Sequence, residues 1–122
     1  MYVERHTVAV TTDAAGAATA YSQVVTGGLS QIRYVKGDFT DGVDFTITAE
    51  ATGETLWAEL NVNASKTVAP RQPTHGTDGV AALYAAAGEA VRAPIALARD
   101  RIKVVIAAGG DTKSGTFHFL VE

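Results

Sequence analysis

Apolar and polar residues alternate with a period of two along most of the chain, and clusters of glycine, proline, asparagine and aspartate interrupt the alternation at short intervals. Such a period puts successive side chains on opposite faces of an extended strand. Residues 4–11 set His6, Val8 and Val10 against Arg5, Thr7 and Ala9, and after the turn formers of residues 13–16 a second strand covers 17–25. These two are expected to pair as a first hairpin. Gly27 and Gly28 reset the chain, and residues 29–36 read as a third strand with Ile32 and Tyr34 on its apolar side. Beyond the loop at 37–42 comes the cleanest alternation, Val43, Phe45, Ile47 and Ala49 against Asp44, Thr46, Thr48 and Glu50. Residues 55–62 return as the second arm of a hairpin, with Leu56, Ala58 and Leu60 inward and Trp57 on the polar face, and a short strand follows near 65–69.

Between Pro70 and Pro94 the alternation fails. Prolines and glycines make residues 70–79 a loop, and the alanines of residues 80–87 predict one or two helical turns ended by Gly88. The insertion is longer than a hairpin needs, and long irregular connections concentrate function, so it is the first-choice contact region. A strand resumes at 93–98, bends at Arg99 and Asp100, and leads into a closing hairpin over residues 101–122. The sum is a single domain spanning residues 1–122. Its expected class is all-β, an antiparallel, jelly-roll-like β-sandwich of about eight strands with one irregular insertion. Its core is expected to comprise Val8, Val10, Ile32, Tyr34, Phe45, Ile47, Leu56, Leu60, Ile95, Leu97, Ile102, Val104, Ile106, Phe117 and Phe119.

Composition narrows the chemistry. A chain of 122 residues suits one domain, and the absence of cysteine removes disulfides and thiolate metal sites. Much of the 47% hydrophobic content is alanine, so the core must lean on a few large side chains. A net charge of −3 and the lack of a lysine and arginine cluster speak against nucleic acid, whose binding needs cations to displace counterions from phosphates. No run approaches the ~20 apolar residues of a membrane helix, and residues 1–6 lack the pattern of a secretory leader, so neither membrane insertion nor secretion is expected. Asn63-Ala64-Ser65 then reads as an accidental match to a glycosylation acceptor.

Candidate chemical motifs fall away one by one. His6, His75 and His118 have no ligand partners at metal-binding spacing. Asp38, Asp41 and Asp44 recur every third residue, unlike the alternate ligands of an EF-hand, and read as turn-capping aspartates. Lys113-Ser114 lacks the glycine spacing and the following helix of a phosphate loop, and no serine sits in a nucleophile elbow. Neither an enzyme activity nor a cofactor is expected. Trp57 and Tyr84 are aromatics placed where partners could reach them.

The runs Arg33-Tyr34-Val35-Lys36, Asp41-Gly42-Val43-Asp44-Phe45-Thr46-Ile47, Pro70-Arg71 with Thr74-His75, and Arg101-Ile102-Lys103-Val104-Val105-Ile106 with Lys113-Ser114-Gly115-Thr116-Phe117 resemble a group of small proteins encoded among the head genes of tailed bacteriophages and prophages. The resemblance implies a virion structural protein made in the host cytoplasm, a capsid decoration or minor capsid (cement) protein on the outer surface of the major capsid lattice. It implies the major capsid protein as partner and self-association, a trimer being favoured. Tyr2, Trp57, Arg71, His75 and Tyr84 are the candidate interface residues. A head-completion, tail or baseplate component is the alternative role, and a carbohydrate-binding module built around Trp57 is a third.

Overall fold

The alternating strands bury one face each against a shared core. The computed structural model describes residues 2–122, so Met1, part of the leader reading, lies outside it. Its strands are β1 (Glu4–Thr11), β2 (Ala18–Val35), β3 (Val43–Ala49), β4 (Thr55–Val62), β5 (Lys66–Val68), β6 (Arg71–Pro73), β7 (Arg92–Ala107) and β8 (Ser114–Val121). They form one open antiparallel sheet in the order β1-β8-β2-β7-β3-β4, with β5 beside the second half of β2 and β6 beside the start of β7. The sheet folds over on itself. Phe117 on β8 and Phe45 on β3 are not sheet neighbours, yet their rings lie 5.3 Å apart, and Tyr34 sits 5.1 Å and 5.0 Å from them. The result is the expected all-β, sandwich-like class.

Strand pairing departs from the expected hairpins. β1 pairs with β8 along its whole length, from Glu4 opposite Val121 to Thr11 opposite Ser114, and β2 runs between β8 and β7. Neither the first hairpin nor the closing one forms. A period of two specifies which face is buried but not which strand lies alongside. The connections instead stitch to each other: Thr12 N donates to Lys113 O at 2.8 Å and Gly109 N to Gly16 O at 2.9 Å. Asp13 caps its own turn by accepting from Ala15 N and Ala17 N.

Two expected strand breaks are bends within single strands. β2 passes through Gly27 and Gly28, with register shifts between Tyr21 and Val24, Val25 and Gly27, and Leu29 and Gln31. Gly27 has a φ of +137°, and a Cβ there would collide with the Glu122 carbonyl oxygen, so only glycine fits. β7 takes its compensating bulge at Arg99, whose φ is +50°.

Bulges also correct the reading of β4. Trp57 lies opposite Ile47 and Glu59 opposite Phe45, with shifts on either side. The shift between Thr55 and Trp57 turns Trp57 toward the core, where it meets Phe45 edge-on at 4.6 Å, and turns Leu60 outward to 75% exposure. Asn61, at φ +57°, restores Val62 to the interior. The other fourteen nominated residues are buried, joined by Val25, Leu29, Phe39, Val43, Ala49, Val62 and Val121.

Two measurements follow from this packing. Phe117→Ala should cost about 3–5 kcal/mol in urea denaturation, whereas Leu60→Ala should stay within about 0.5 kcal/mol. Burial pushes the Tyr34 phenol from 10.0 up to about 12, and its hydroxyl has no partner among the described residues. The folded state therefore favours the protonated phenol. Its contribution is full below pH 10 and declines as pH rises toward about 12. A difference absorbance titration against Tyr34→Phe should show that late ionisation, and the variant should be at least as stable as the parent, since it removes an unpaired buried hydroxyl.

Candidate functional site

The 70–94 insertion folds as a projecting arm. Its root is the pairing of β6 with the start of β7, Arg71 opposite Pro94 and Pro73 opposite Arg92. Beyond it, Thr74, Ala82 and Val91 close a backbone triangle: Ala82 N donates to Thr74 O, Val91 N to Ala82 O and Thr74 N to Val91 O, at 2.8–2.9 Å. Two small turns extend from this knot. Gly76 N bonds Val80 O, with Asp78 Oδ1 accepting from Val80 N, and Tyr84 N bonds Glu89 O.

No helix forms over residues 80–87, contrary to expectation. Eight residues are too few to offset helix nucleation unaided, and the amides of Ala82 and Tyr84 are taken by Thr74 and Glu89. Ala87 adopts a φ of +57°, which a helix cannot contain.

The arm buries little and displays much. Val80 is 64% exposed and Tyr84 75%, Leu83 is exposed between them, and Ala81, Ala85, Ala86 and Ala87 are exposed as well. Apolar side chains shown together on a braced backbone form the kind of surface that partners cover. Val80 and Leu83 carried no sequence signal, because an apolar residue in an aperiodic loop cannot be assigned a side.

The expected interface residues divide by location. Arg71 is exposed in part but holds the arm in place: its Nη1 donates to Ser30 O at 3.0 Å and Pro70 O at 2.8 Å, with Leu29 O at 3.5 Å. His75 and Tyr84 lie in the arm itself, exposed. Tyr2, 77% exposed, precedes β1, and the register puts it at the same end of the molecule as the arm's root. There Glu4 faces Val121, the Glu122 backbone bonds Gly28, and Gly28 faces Ala96. Trp57 lies elsewhere, half-buried against Phe45 with its Nε1 donating to Glu59 at 3.3 Å.

The remaining polar groups are mostly engaged. Asp38 accepts from Ser114 N and Asp44 from Asn61 N, while Asp41 pairs with Lys36 at 3.1 Å, so the three aspartates serve separate contacts. Hydrogen bonding from Lys66 and Trp57 holds the Glu59 carboxyl below the usual range, and Arg101 does the same for Glu50. His6 and His118 are on opposite faces of the paired terminal strands, His6 beside Glu4 at 3.3 Å and His118 beside Thr7 at 3.2 Å. No group of three or more metal-ligating side chains occurs among the described residues.

No protein-family model matches the chain, and no curated protein is similar to it in sequence. A chain in the structure of the infectious bursal disease virus Gt strain is similar over 98% of this chain, at 12% identity and a TM-score of 0.37. This chain spans 32% of that viral chain.

Arg71→Ala should leave the core intact but loosen the arm. Loss of a charged hydrogen-bond donor predicts a cost of about 1–2 kcal/mol and several-fold faster elastase cleavage within residues 81–87. Unchanged cleavage would show that the arm does not depend on this brace.

Proposed function

We propose that this chain is a structural protein of a bacteriophage virion, a decoration or minor capsid protein that attaches to the outer surface of the major capsid lattice. The resemblance of its sequence runs to proteins encoded among phage head genes supports the reading. The observation that carries it is the arm: a braced projection with Val80, Leu83 and Tyr84 displayed, at the same end as Tyr2. Such a projection supplies weak contacts that many copies on a lattice multiply by avidity.

Self-association belongs to the proposal. β1 and β4 end the sheet order with their outer edges unpaired by any other described strand. A trimer that covered one edge of each copy would protect it from indiscriminate pairing. Closing such edges suits a ring as well, the arrangement of a head-completion or tail component, and copy number per particle by quantitative mass spectrometry separates the two. The carbohydrate-binding alternative would rest on Trp57, which is half-buried edge-on against Phe45 with its Nε1 donating to Glu59, and a glycan array without hits would remove it.

The test replaces residues 74–91 by an Asn-Gly turn joining Pro73 to Arg92, which face each other at the arm's root. The shortened protein should melt close to the parent and fail to co-sediment with heads of the cognate phage prepared without it. Co-sedimentation equal to the parent's would remove the arm from capsid binding.

A further inference from the structure

We propose that the outer face of β1, β8 and the second half of β2 is a docking site for an extended acidic segment of a protein partner, received by Arg5, Arg33 and His118. Neither the arm nor a capsid enters this inference, so it stands or falls apart from the function proposed above. Two rungs of the sheet build the site: Arg5, Leu120 and Gln31 on one, Thr7, His118 and Arg33 on the next. Their neighbours Ile32, Tyr34, Phe117 and Phe119 are buried, which turns these side chains outward together. Arg5, Arg33, His118, Val35 and Leu120 line an open depression of about 580 Å³, and a second of about 220 Å³ adjoins it at Arg5, His6, Thr7 and Gln23.

Charge selects the occupant. Although the chain carries a net −3, the outward positions Arg5, Thr7 and Ala9, Thr116, His118 and Leu120, and Gln31, Arg33 and Val35 include no carboxylate, and Glu122, the next outward position after Leu120, has its Cγ beside Gly28. Glu4 points to the other face, toward His6. Arg101, Lys66 and Lys36 each meet a carboxylate, but neither Arg5 nor Arg33 has an ion pair among the described residues. Among the described residues, the Arg33 guanidinium makes only two long bonds, both 3.4 Å, to Gln31 Oε1.

Geometry suits an extended segment. Arg5 and Arg33 stand two strand spacings and one rung apart, roughly 12 Å between Cα atoms. A strand bearing two carboxylates can give each guanidinium fork its own bidentate partner on its own rung, without drawing the two side chains together. Val35 and Leu120 give its intervening apolar side chains a floor. The overall negative charge of the chain disfavours a nucleic acid at the same place.

The direct test is a ¹⁵N NMR titration of the full chain with a blocked peptide alternating glutamate and valine. Shifts should concentrate on the rungs of Arg5, His118 and Arg33. Arg33→Gln and Arg5→Gln, each with unchanged melting because both side chains are exposed, should each weaken binding by about tenfold. The same peptide with glutamine for glutamate should not bind. Absence of shifts, shifts elsewhere, equal affinity of the variants, or equal binding of the glutamine peptide would each overturn the proposal. Displacement of the peptide by inorganic phosphate or by an oligothymidylate at matched charge would overturn it too, assigning the site to phosphates.

Discussion

The bend of β2 between Val25 and Leu29 is the constraint on which the rest of the molecule depends. One strand must serve two halves of a sheet that face each other, pairing with β7 through its first half and with β8 through its second. Leu29 is the hinge residue, opposite Ile95 on one side and Val121 on the other, and it is fully buried. Gly27 makes the turn possible because the Glu122 carbonyl occupies the space a side chain would need. Once the strand bends, Tyr34, Phe45 and Phe117 converge from β2, β3 and β8. That cluster holds the two halves together with large apolar area that the many alanines cannot supply.

The same geometry separates stability from recognition. Core positions draw on all the long strands, while residues 74–91 hold their shape through backbone hydrogen bonds and the Arg71 brace to the β2 bend. Side chains at the arm's tip are thereby released from packing duty. The outer face around Arg5 and Arg33 is free in a different way, since its inward neighbours carry the burial and the outward residues are left to set charge. In the proposed reading, both surfaces are fixed by the core yet can change without disturbing it.

Faces were legible in the sequence and partners were not. Phe45 with Ile47, Phe117 with Phe119, and Ile102 with Val104 and Ile106 announced their burial by alternation alone, and all are buried. The hairpins assumed for β1 with β2 and for β7 with β8 failed because alternation is the same whichever strand lies alongside. Leu60 and Trp57 were misplaced by one bulge, which inverts every later side chain until a second bulge restores it. In the arm, alanine content suggested a helix, but the hydrogen bonds that decide the matter, Ala82 N to Thr74 O and Tyr84 N to Glu89 O, follow no helical spacing and leave no mark in composition. Of the expected interface residues, Tyr2 and Tyr84 are as exposed as their settings implied, whereas Arg71 spends its guanidinium on the chain's own carbonyls.

The central claim is that one cooperative core spans both halves of the folded sheet while the arm is an independent elaboration. Native-state hydrogen exchange tests it most directly. Amides in the first half of β2, its second half, the middle of β7 and β8 should exchange with one common free energy equal to that of global unfolding, and amides of residues 74–91 should open at far lower cost. Separate exchange free energies for the two halves of β2, or an arm protected as strongly as the core, would contradict the account.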